Sequence, residues 1–464
     1  MNTVLEEIFQ PESIAIVGAS GKLFDVHTTM FLESLVTFGY RGGIYPVNPK
    51  YQEICGFRAY PTILDIPGPV DHVISLVPAP ATIRVMQDCV DKGVKSVHIF
   101  TAGFAETGQP DAGRLQDQLV STARTRGIRI LGPNCTGFYC PRSGISYCSD
   151  FPKDAGQVGF VAQSGSYTYL LVRNAAQRGV RFSKVVSYGN GSDIDEVDLL
   201  QYFAEDAETK VICAYIEGAK DGRALVGALR RAAGLKPTVV MKGGETEGGI
   251  RGTIGHTGSS TSQKAIWDAA IRQTGVIRAD SIDEMIDVLV TLLFLQVAGD
   301  RRAAVVGTGG GVSVRAADEC EEGGLVLSPT SDDFKRQLNR VVPYAGTVLD
   351  NPFDLPGPDL DVWARVLDLL ETWEDVDIIL WQICPEIEPF RDGEFRQLPI
   401  EIQRMVAFSQ LSKPTLVVVH GVGTETGMES MKTMRSLCRD HGIPFYPSLR
   451  RASVAIAKCA RYLD

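Results

Sequence analysis

The sequence lacks the patterns typical of membrane proteins, secreted disulfide scaffolds and zinc proteins. No stretch of the 464 residues reaches the ~18 apolar residues that a membrane span requires, and residues 1–7 lack the charged-then-apolar pattern of a signal peptide. The ten cysteines show no CxxC spacing, which argues against both a zinc site and a disulfide framework. We therefore expect a cytoplasmic protein with reduced cysteines and no metal site.

Positive charge is also scarce. The chain has 46 Lys and Arg against 56 Asp and Glu, a net charge of −10, so we expect no broad basic surface and neither nucleic acid nor a membrane as a main partner. A composition of 44% hydrophobic and 22% charged residues is typical of globular proteins, and the length exceeds one ordinary core. Together these values predict about three domains.

Short apolar runs, glycine-rich turns and helix-like stretches alternate along the chain, a pattern that predicts βαβ units around parallel sheets. The pattern breaks near residues 148–153 and again at 298–302. We therefore predict an α/β fold with a doubly wound, Rossmann-like first domain at 1–150, a second domain at 151–299 and a third at 300–464.

The first domain contains a candidate phosphate site. A buried strand runs into Gly18, Ala19 and Ser20, and such a turn of small residues lets backbone N–H groups approach a phosphate. The spacing departs from G-x-G-x-x-G, so a tight turn without a ligand is the alternative. Three more loops follow later predicted strands, where ligands bind in open α/β sheets, and their candidate residues are Val47, Asn48, Lys50, Val77, Pro78, Ala79 and Asn134.

Taken together, these loops resemble the CoA-binding domain of the NDP-forming acyl-CoA synthetase and succinyl-CoA synthetase α-subunit superfamily. The resemblance implies that they hold the ADP and pantetheine parts of coenzyme A. It also implies that two flavodoxin-like domains of the succinyl-CoA synthetase type follow. No acidic residue closes the second strand at 44–48, where an NAD site would place a carboxylate for the ribose hydroxyls.

His256 is the candidate nucleophile of the second domain. It lies in a segment of small residues, 250–260, that predicts a flexible loop; the alternative is a structural or merely exposed histidine. A phosphorylated imidazole needs donors for the phosphate oxygens and a group that orients its other ring nitrogen. The predicted donors are at the start of a helix-like stretch, and the predicted orienting group is Glu217 at a strand end. The donors are Ser164, Gly165 and Ser166.

An ordinary N-cap for the serines and an exposed acid for Glu217 are the alternatives at this point. However, residues 255–259 and 269–278 look like the phosphohistidine region of ADP-forming acetyl-CoA synthetases, and 163–169 is similar to a phosphate-binding helix start in succinyl-CoA synthetase α subunits. The resemblance, which extends over nearly the whole chain, implies that His256 carries phosphate, that the helix start cradles it, and that Glu217 steadies the ring. Gly255 departs from the serine that the family usually has before the histidine.

The resemblance implies an α subunit that converts a carboxylic acid, CoA and ATP into acyl-CoA, ADP and phosphate through phosphohistidine and acyl phosphate. Three α/β domains leave no room for the ATP-grasp domain that binds the nucleotide. We therefore expect an ATP-grasp β subunit, in an α2β2 assembly, that mainly binds ATP or ADP with Mg²⁺. The alternatives are a catalytically inactive CoA- or nucleotide-binding regulator and an NAD-dependent enzyme; the acid itself is not encoded in any pattern we identify.

Overall fold

We describe a computed structural model of the chain. The structure describes residues 3–20, 26–257, 264–295, 301–307, 309–342, 349–355, 360–383, 390–391, 394–395, 407, 410–420 and 423–463. It divides into two compact units, Met1–Arg173 with Arg181–Ile282, and Asn174–Val180 with Asp283–Asp464. The predicted α/β class with parallel sheets is confirmed. The three domain boundaries stay a prediction.

The first sheet has five parallel strands in the order β2-β1-β5-β6-β7, with a short antiparallel hairpin of β3 and β4 beside it. Its strands are β1 Ser13–Val17, β2 Gly43–Val47, β3 Glu53–Ile54, β4 Phe57–Arg58, β5 His72–Ser75, β6 Ser96–Ile99 and β7 Arg129–Leu131. The helices of this region are α1 Thr3–Phe9, α2 Val26–Phe38, α3 Thr82–Lys92 and α4 Pro110–Arg124. The strand order reverses between β1 and β5, so the carboxyl ends of these strands flank a crevice of the kind that binds ligands.

The second sheet has the order β13-β12-β11-β9-β10-β8, and β8 alone runs antiparallel to its neighbour. Its strands are β8 Gly137–Tyr139, β9 Val158–Ala162, β10 Phe182–Ser187, β11 Val211–Ile216, β12 Thr238–Lys242 and β13 Ile277–Ala279. The helices are α5 Gly165–Ala176, α6 Glu196–Glu205, α7 Gly222–Leu235, α8 Glu247–Thr257 and α9 Lys264–Thr274. The chain therefore enters the second sheet through β8, before residue 150.

The unit that contains Asp283–Asp464 has a third parallel sheet, in the order β15-β14-β17-β20-β21, with β16 paired to β14. Its strands, with the hairpin β18–β19, are β14 Arg302–Gly307, β15 Val326–Leu327, β16 Phe353–Asp354, β17 Ile378–Ile383, β18 Phe390–Arg391, β19 Glu394–Phe395, β20 Thr415–Val419 and β21 Phe445–Tyr446. The helices are α10 Ile282–Val290, α11 Gly310–Glu322, α12 Asp332–Val341, α13 Leu360–Thr372, α14 Glu425–Asp440 and α15 Leu449–Leu463.

The central strands of the first two sheets are buried along their whole length. Every residue of β1, β9 and β11 is buried, with no alternation of exposed and buried positions. This pattern arises because helices cover both faces of a parallel sheet, so apolar residues are favoured on both sides of each strand. Within the ranges described, no helix combines the length and apolar character needed to cross a bilayer. Because these strands are buried, the polar side chains at their ends are the groups of the sheets that can contact a ligand.

Candidate active site

The predicted loops of the first domain meet at the carboxyl edge of the first sheet. Gly18, which follows β1, has a φ of +88°, and a Cβ atom there would lie 3.2 Å from Cγ1 of Val77. Its backbone N–H donates to the carbonyl of Val47 at 2.9 Å, and Nδ2 of Asn48 donates to the carbonyl of Ala19 at 2.7 Å. A glycine is required here because the backbone is left-handed and the next loop is in contact. The loops after β1, β2 and β5 thus lie together at the carboxyl edge of the first sheet.

The other predicted residues of this edge follow directly along the same loops. Ser20 is buried, whereas Lys50 is exposed and its backbone N–H donates to Oδ1 of Asn48 at 3.0 Å. Pro78 precedes the 3₁₀ turn Ala79–Ala81. Loops of this kind can present backbone N–H groups and one lysine ammonium to phosphate groups. The chemistry of the edge therefore suits a nucleotide-like anion.

His256 lies near the end of helix α8, so the prediction of a flexible loop at 250–260 is wrong for residues 250–257. The small residues suggested a loop because each glycine in a helix costs about 1 kcal/mol relative to alanine. Tertiary contact offsets that cost: Thr253 is buried, and the backbone carbonyl of His256 accepts a hydrogen bond from Nδ2 of Asn134 at 3.1 Å. Residues 258–260, the remainder of that predicted loop, lie outside the described residues.

Glu217 and His256 form a direct hydrogen bond, as the sequence analysis predicts for an orienting carboxylate. Nδ1 of His256 lies 2.9 Å from Oε2 and 3.1 Å from Oε1 of Glu217. The Glu217 side chain is 6% exposed and that of His256 is 48% exposed, so the alternative of an exposed strand-end acid is wrong. The pKa of His256 is raised, chiefly by this hydrogen bond, although burial opposes the rise. Because Glu217 holds Nδ1, Nε2 is the ring nitrogen available for chemistry.

Gln163, which was predicted only as part of the range 163–169, holds the backbone that carries Glu217. Its Oε1 accepts hydrogen bonds from the backbone N–H of Glu217 at 2.8 Å and of Gly218 at 3.1 Å. Gln163 is buried and directly precedes Ser164, and α5 begins at the residue after Ser164. An amide side chain at the end of an otherwise apolar strand is the signal that could have identified it. Gln163 therefore joins the start of α5 to the orienting carboxylate.

The three predicted phosphate-binding residues occupy the start of α5. Ser164 is buried, Gly165 is the first helical residue and Ser166 is exposed. A Cβ atom at Gly165 would lie 2.6 Å from Cγ2 of Thr136, so this helix start packs closely against the loop after β7. The first N–H groups of a helix have no partner within it and carry partial positive charge. This geometry suits an anion.

Asn134, on the loop that follows β7, contacts the histidine segment. Its Nδ2 donates to the backbone carbonyl of His256 at 3.1 Å. A second acid that the sequence analysis missed, Glu106, is buried, and its charge also raises the pKa of His256. Nδ2 of Asn190 donates to Oε2 of Glu106 at 2.6 Å, and the backbone N–H of Phe104 donates to its Oε1 at 3.1 Å. Two buried carboxylates, Glu217 and Glu106, thus raise the pKa of His256.

Two family models match the chain over the regions that carry these sites. Residues 12–141 match the CoA binding domain, and residues 155–292 match the succinyl-CoA ligase like flavodoxin domain. The first match includes every predicted CoA-binding residue, and the second includes Ser164, Glu217 and His256. The fold and the two matches define the class as a CoA ligase of the succinyl-CoA synthetase type.

Close relatives identify the family within that class. The chain is 34% identical to the acetate–CoA ligase [ADP-forming] I subunit alpha of Pyrococcus furiosus, over 98% of this chain and 96% of that one. It is also 34% identical to the acetate–CoA ligase [ADP-forming] I of Archaeoglobus fulgidus, of whose length it spans 64%. The acetyl-coenzyme A synthetase 1 of Ca. Korarchaeum cryptofilum, solved in complex with phosphate and ADP, superposes with a TM-score of 0.83 at 30% identity, covering 99% of this chain and 96% of that one. The chain therefore belongs to the NDP-forming acyl-CoA synthetase family, and the predicted resemblance is confirmed.

Proposed function

We propose that this chain is the α subunit of an NDP-forming acyl-CoA synthetase, which converts a carboxylic acid, CoA and ATP into acyl-CoA, ADP and phosphate. The observation that carries the proposal is the hydrogen bond of 2.9 Å between a buried carboxylate, Glu217, and Nδ1 of a half-exposed imidazole, His256. A structural histidine needs no such arrangement. A nucleophile does, because the carboxylate fixes the tautomer that leaves Nε2 with its lone pair.

In the proposed reaction, Nε2 of His256 attacks the terminal phosphorus of ATP, an N–P bond forms, and ADP leaves. Glu217 accepts the hydrogen bond from Nδ1–H and stabilises the positive charge that develops on the ring. The phosphoryl group then passes from Nε2 to an oxygen of the substrate carboxylate, which breaks the N–P bond and restores the imidazole. Covalent transfer divides one difficult condensation into smaller steps.

CoA supplies the thiol that displaces phosphate from the acyl phosphate. The residues proposed to hold CoA belong to the edge of the first sheet, where Gly18 has no Cβ and the loops after β1, β2 and β5 are in contact. Asn134 is proposed to act where this edge meets the histidine segment, because its amide already contacts the carbonyl of His256. The full set is Gly18, Ala19, Ser20, Val47, Asn48, Lys50, Val77, Pro78, Ala79 and Asn134.

The start of α5 is proposed to bind the oxygens of the phosphoryl group. Ser164 and Ser166 supply hydroxyl donors, and Gly165 lets the first turn approach closely because it has no side chain. Gln163 positions this turn relative to Glu217 through the two backbone N–H groups at 2.8 and 3.1 Å. Movement of either element would therefore disturb the other.

We also propose a partner subunit with an ATP-grasp fold, in an α2β2 assembly, that binds ATP or ADP with Mg²⁺. One relative is named as a subunit alpha, while the Archaeoglobus protein contains further sequence beyond the span of this chain. Both facts support a partner or an added region that completes the reaction. The alternative of an inactive CoA-binding regulator is disfavoured by the Glu217–His256 pair, for which a sensor has no use.

Labelled ATP tests the proposal. The full chain is incubated with its ATP-grasp partner and ATP labelled at the γ-phosphate, and the protein is assayed for acid-labile, base-stable label. We expect label on the wild type and on His441→Ala, a control histidine that lies exposed at the end of α14, but none on His256→Ala. Label that persists on His256→Ala would overturn the assignment.

A calorimetric titration separates a CoA site from an NAD site on the same edge. We expect CoA to bind the full chain and NAD to show no saturable binding, because the loop after β2 offers Asn48 and Lys50 and no carboxylate at the strand end. Saturable binding of NAD in preference to CoA would contradict the proposal for the first domain.

A further inference from the structure

A cavity lies between helices α7 and α9, beyond the carboxyl ends of β11 and β12. Its volume is about 760 Å³, within the range of about 300–1,000 Å³ that small-molecule sites occupy. Most of its wall is apolar, and Ile266 within that wall is 61% exposed. The larger apolar lining residues are Ile216, Leu225, Val226, Leu229, Ile266 and Trp267. A ligand that fills this space has an apolar body.

The polar groups of the lining give the cavity a positive rim. Three cations, Lys220, Arg223 and Lys242, line it together with one acid, Asp221. The Asp221 carboxylate is already engaged as the N-cap of α7, where Oδ1 accepts the backbone N–H groups of Arg223 at 2.9 Å and Ala224 at 3.0 Å. The rim still carries three positive charges against this one negative charge. The rim therefore favours a ligand with a negative charge.

Lys242 is the cation placed to meet that charge. Its ammonium donates to the backbone carbonyl of Glu217 at 2.5 Å and to the carbonyl of Gly243, and it lies 5.8 Å from the centroid of the Trp267 ring. An ammonium has three donors, so two carbonyls leave one for a ligand. Burial lowers the pKa of Lys242, which indicates that the charge is poorly solvated and that a nearby anion would stabilise it.

We propose that this cavity is a binding site for a small amphipathic anion, whose apolar body packs on Trp267 and whose charged group bonds to Lys242. The site is distinct from the phosphohistidine pair, because the Lys242 ammonium bonds to the backbone carbonyl of Glu217, whereas the Glu217 carboxylate bonds to Nδ1 of His256. The anion shares the ammonium with that carbonyl, because it takes the third N–H donor. We therefore expect the bound anion to alter the support of Glu217 and, through it, the environment of His256.

Two probes with the same body and different charge test the charge requirement. 4-Phenylbutyrate and the neutral 4-phenylbutanol are titrated into the full chain, and binding is followed by calorimetry and by the imidazole signal of His256 in NMR spectra. We expect the acid to bind at least roughly tenfold more tightly than the alcohol, since one charge-assisted hydrogen bond distinguishes them. Equal binding of the two probes, or no saturable binding of either, would overturn the proposal.

Matched variants test the location. Val226→Trp fills the cavity and Arg230→Trp places the same ring on an exposed part of α7 outside it, so we expect the first to abolish binding of the acid and the second to leave it unchanged. Lys242→Met preserves much of the shape and is expected to reduce acid binding to the level of the alcohol. Acid binding that survives both Val226→Trp and Lys242→Met would place the ligand elsewhere. These measurements need neither ATP nor a partner, so their failure would leave the labelling test of His256 unaffected.

Discussion

The substitution Glu217→Gln tests the central geometry, because it keeps the shape of the side chain and removes its charge. A hydrogen bond to a charged group contributes roughly 1.5–3 kcal/mol when buried. Since the His256 side chain is 48% exposed, solvent screening favours the lower end. We take the lower end, about 1.5 kcal/mol, which corresponds to roughly a tenfold slower transfer of label to His256.

The pH dependence follows from the direction of the pKa shift. The pKa of His256 is raised, first by the hydrogen bond to Glu217, so the imidazolium persists to higher pH than in the unfolded chain. The ion pair therefore stabilises the fold fully below the ordinary histidine pKa of about 6.5, and this stabilisation is lost as pH rises through the raised value. Neutral Nε2 is the nucleophile, so labelling of the wild type is expected to increase over the same rise.

Two measurements check these expectations. NMR titration of the imidazole signals, assigned among six histidines by His256→Ala, gives the pKa of His256 in each variant. The midpoint of the labelling rate against pH gives the same quantity from function. We expect the pKa of His256 and the midpoint of labelling both to move to lower pH in Glu217→Gln. Both are expected to stay unchanged in Glu247→Gln, which removes one charge from an exposed position on α8, the helix that carries His256. An unchanged midpoint in Glu217→Gln would refute the assigned role.

Gln163→Ala removes the acceptor of two buried N–H groups, one of them from Glu217, and we expect urea denaturation to show a loss of about 1–3 kcal/mol in unfolding free energy. Gly165→Ala places a Cβ atom 2.6 Å from a neighbouring threonine methyl carbon, so we expect a loss of about 1–3 kcal/mol and slower labelling; normal labelling would argue against a phosphate role for this turn. Gly18→Ala forces a side chain into a backbone with φ of +88°, so we expect a loss of about 1–2 kcal/mol in unfolding free energy and weaker CoA binding. The control Gly227→Ala adds a methyl group to open space on α7, and we expect it to cause neither the loss of stability nor weaker CoA binding.

Sequence reasoning predicted the pieces of the site that depend on local pattern. A buried strand followed by a polar residue identifies the strand end, and this logic placed Glu217 after β11 and Gly18 after β1. Because the carboxyl ends of parallel strands share one edge, the loops after β1, β2 and β5 could be expected to meet. The contact of Asn48 with the carbonyl of Ala19 shows that they do.

Other features follow from contacts between distant parts of the chain. Glycine content suggested a loop at residues 250–260, yet residues 250–257 are helical, because helical propensity is a weak preference that tertiary contacts override. The roles of Gln163 and Glu106 were missed for a related reason. Their partners, the backbone of Glu217 and the amide of Asn190, lie 54 and 84 residues away.

The sequence by itself determined the α/β class, the family, and the two side chains that pair in the site, Glu217 and His256, because strand patterning and short motifs are local. Only the tertiary structure decided that Glu217 is buried, which ring nitrogen it holds, and that a cavity with a positive rim lies between α7 and α9. Burial and hydrogen-bond geometry depend on how segments distant in the chain pack together. No local pattern records that packing, and the raised pKa of His256 arises from it.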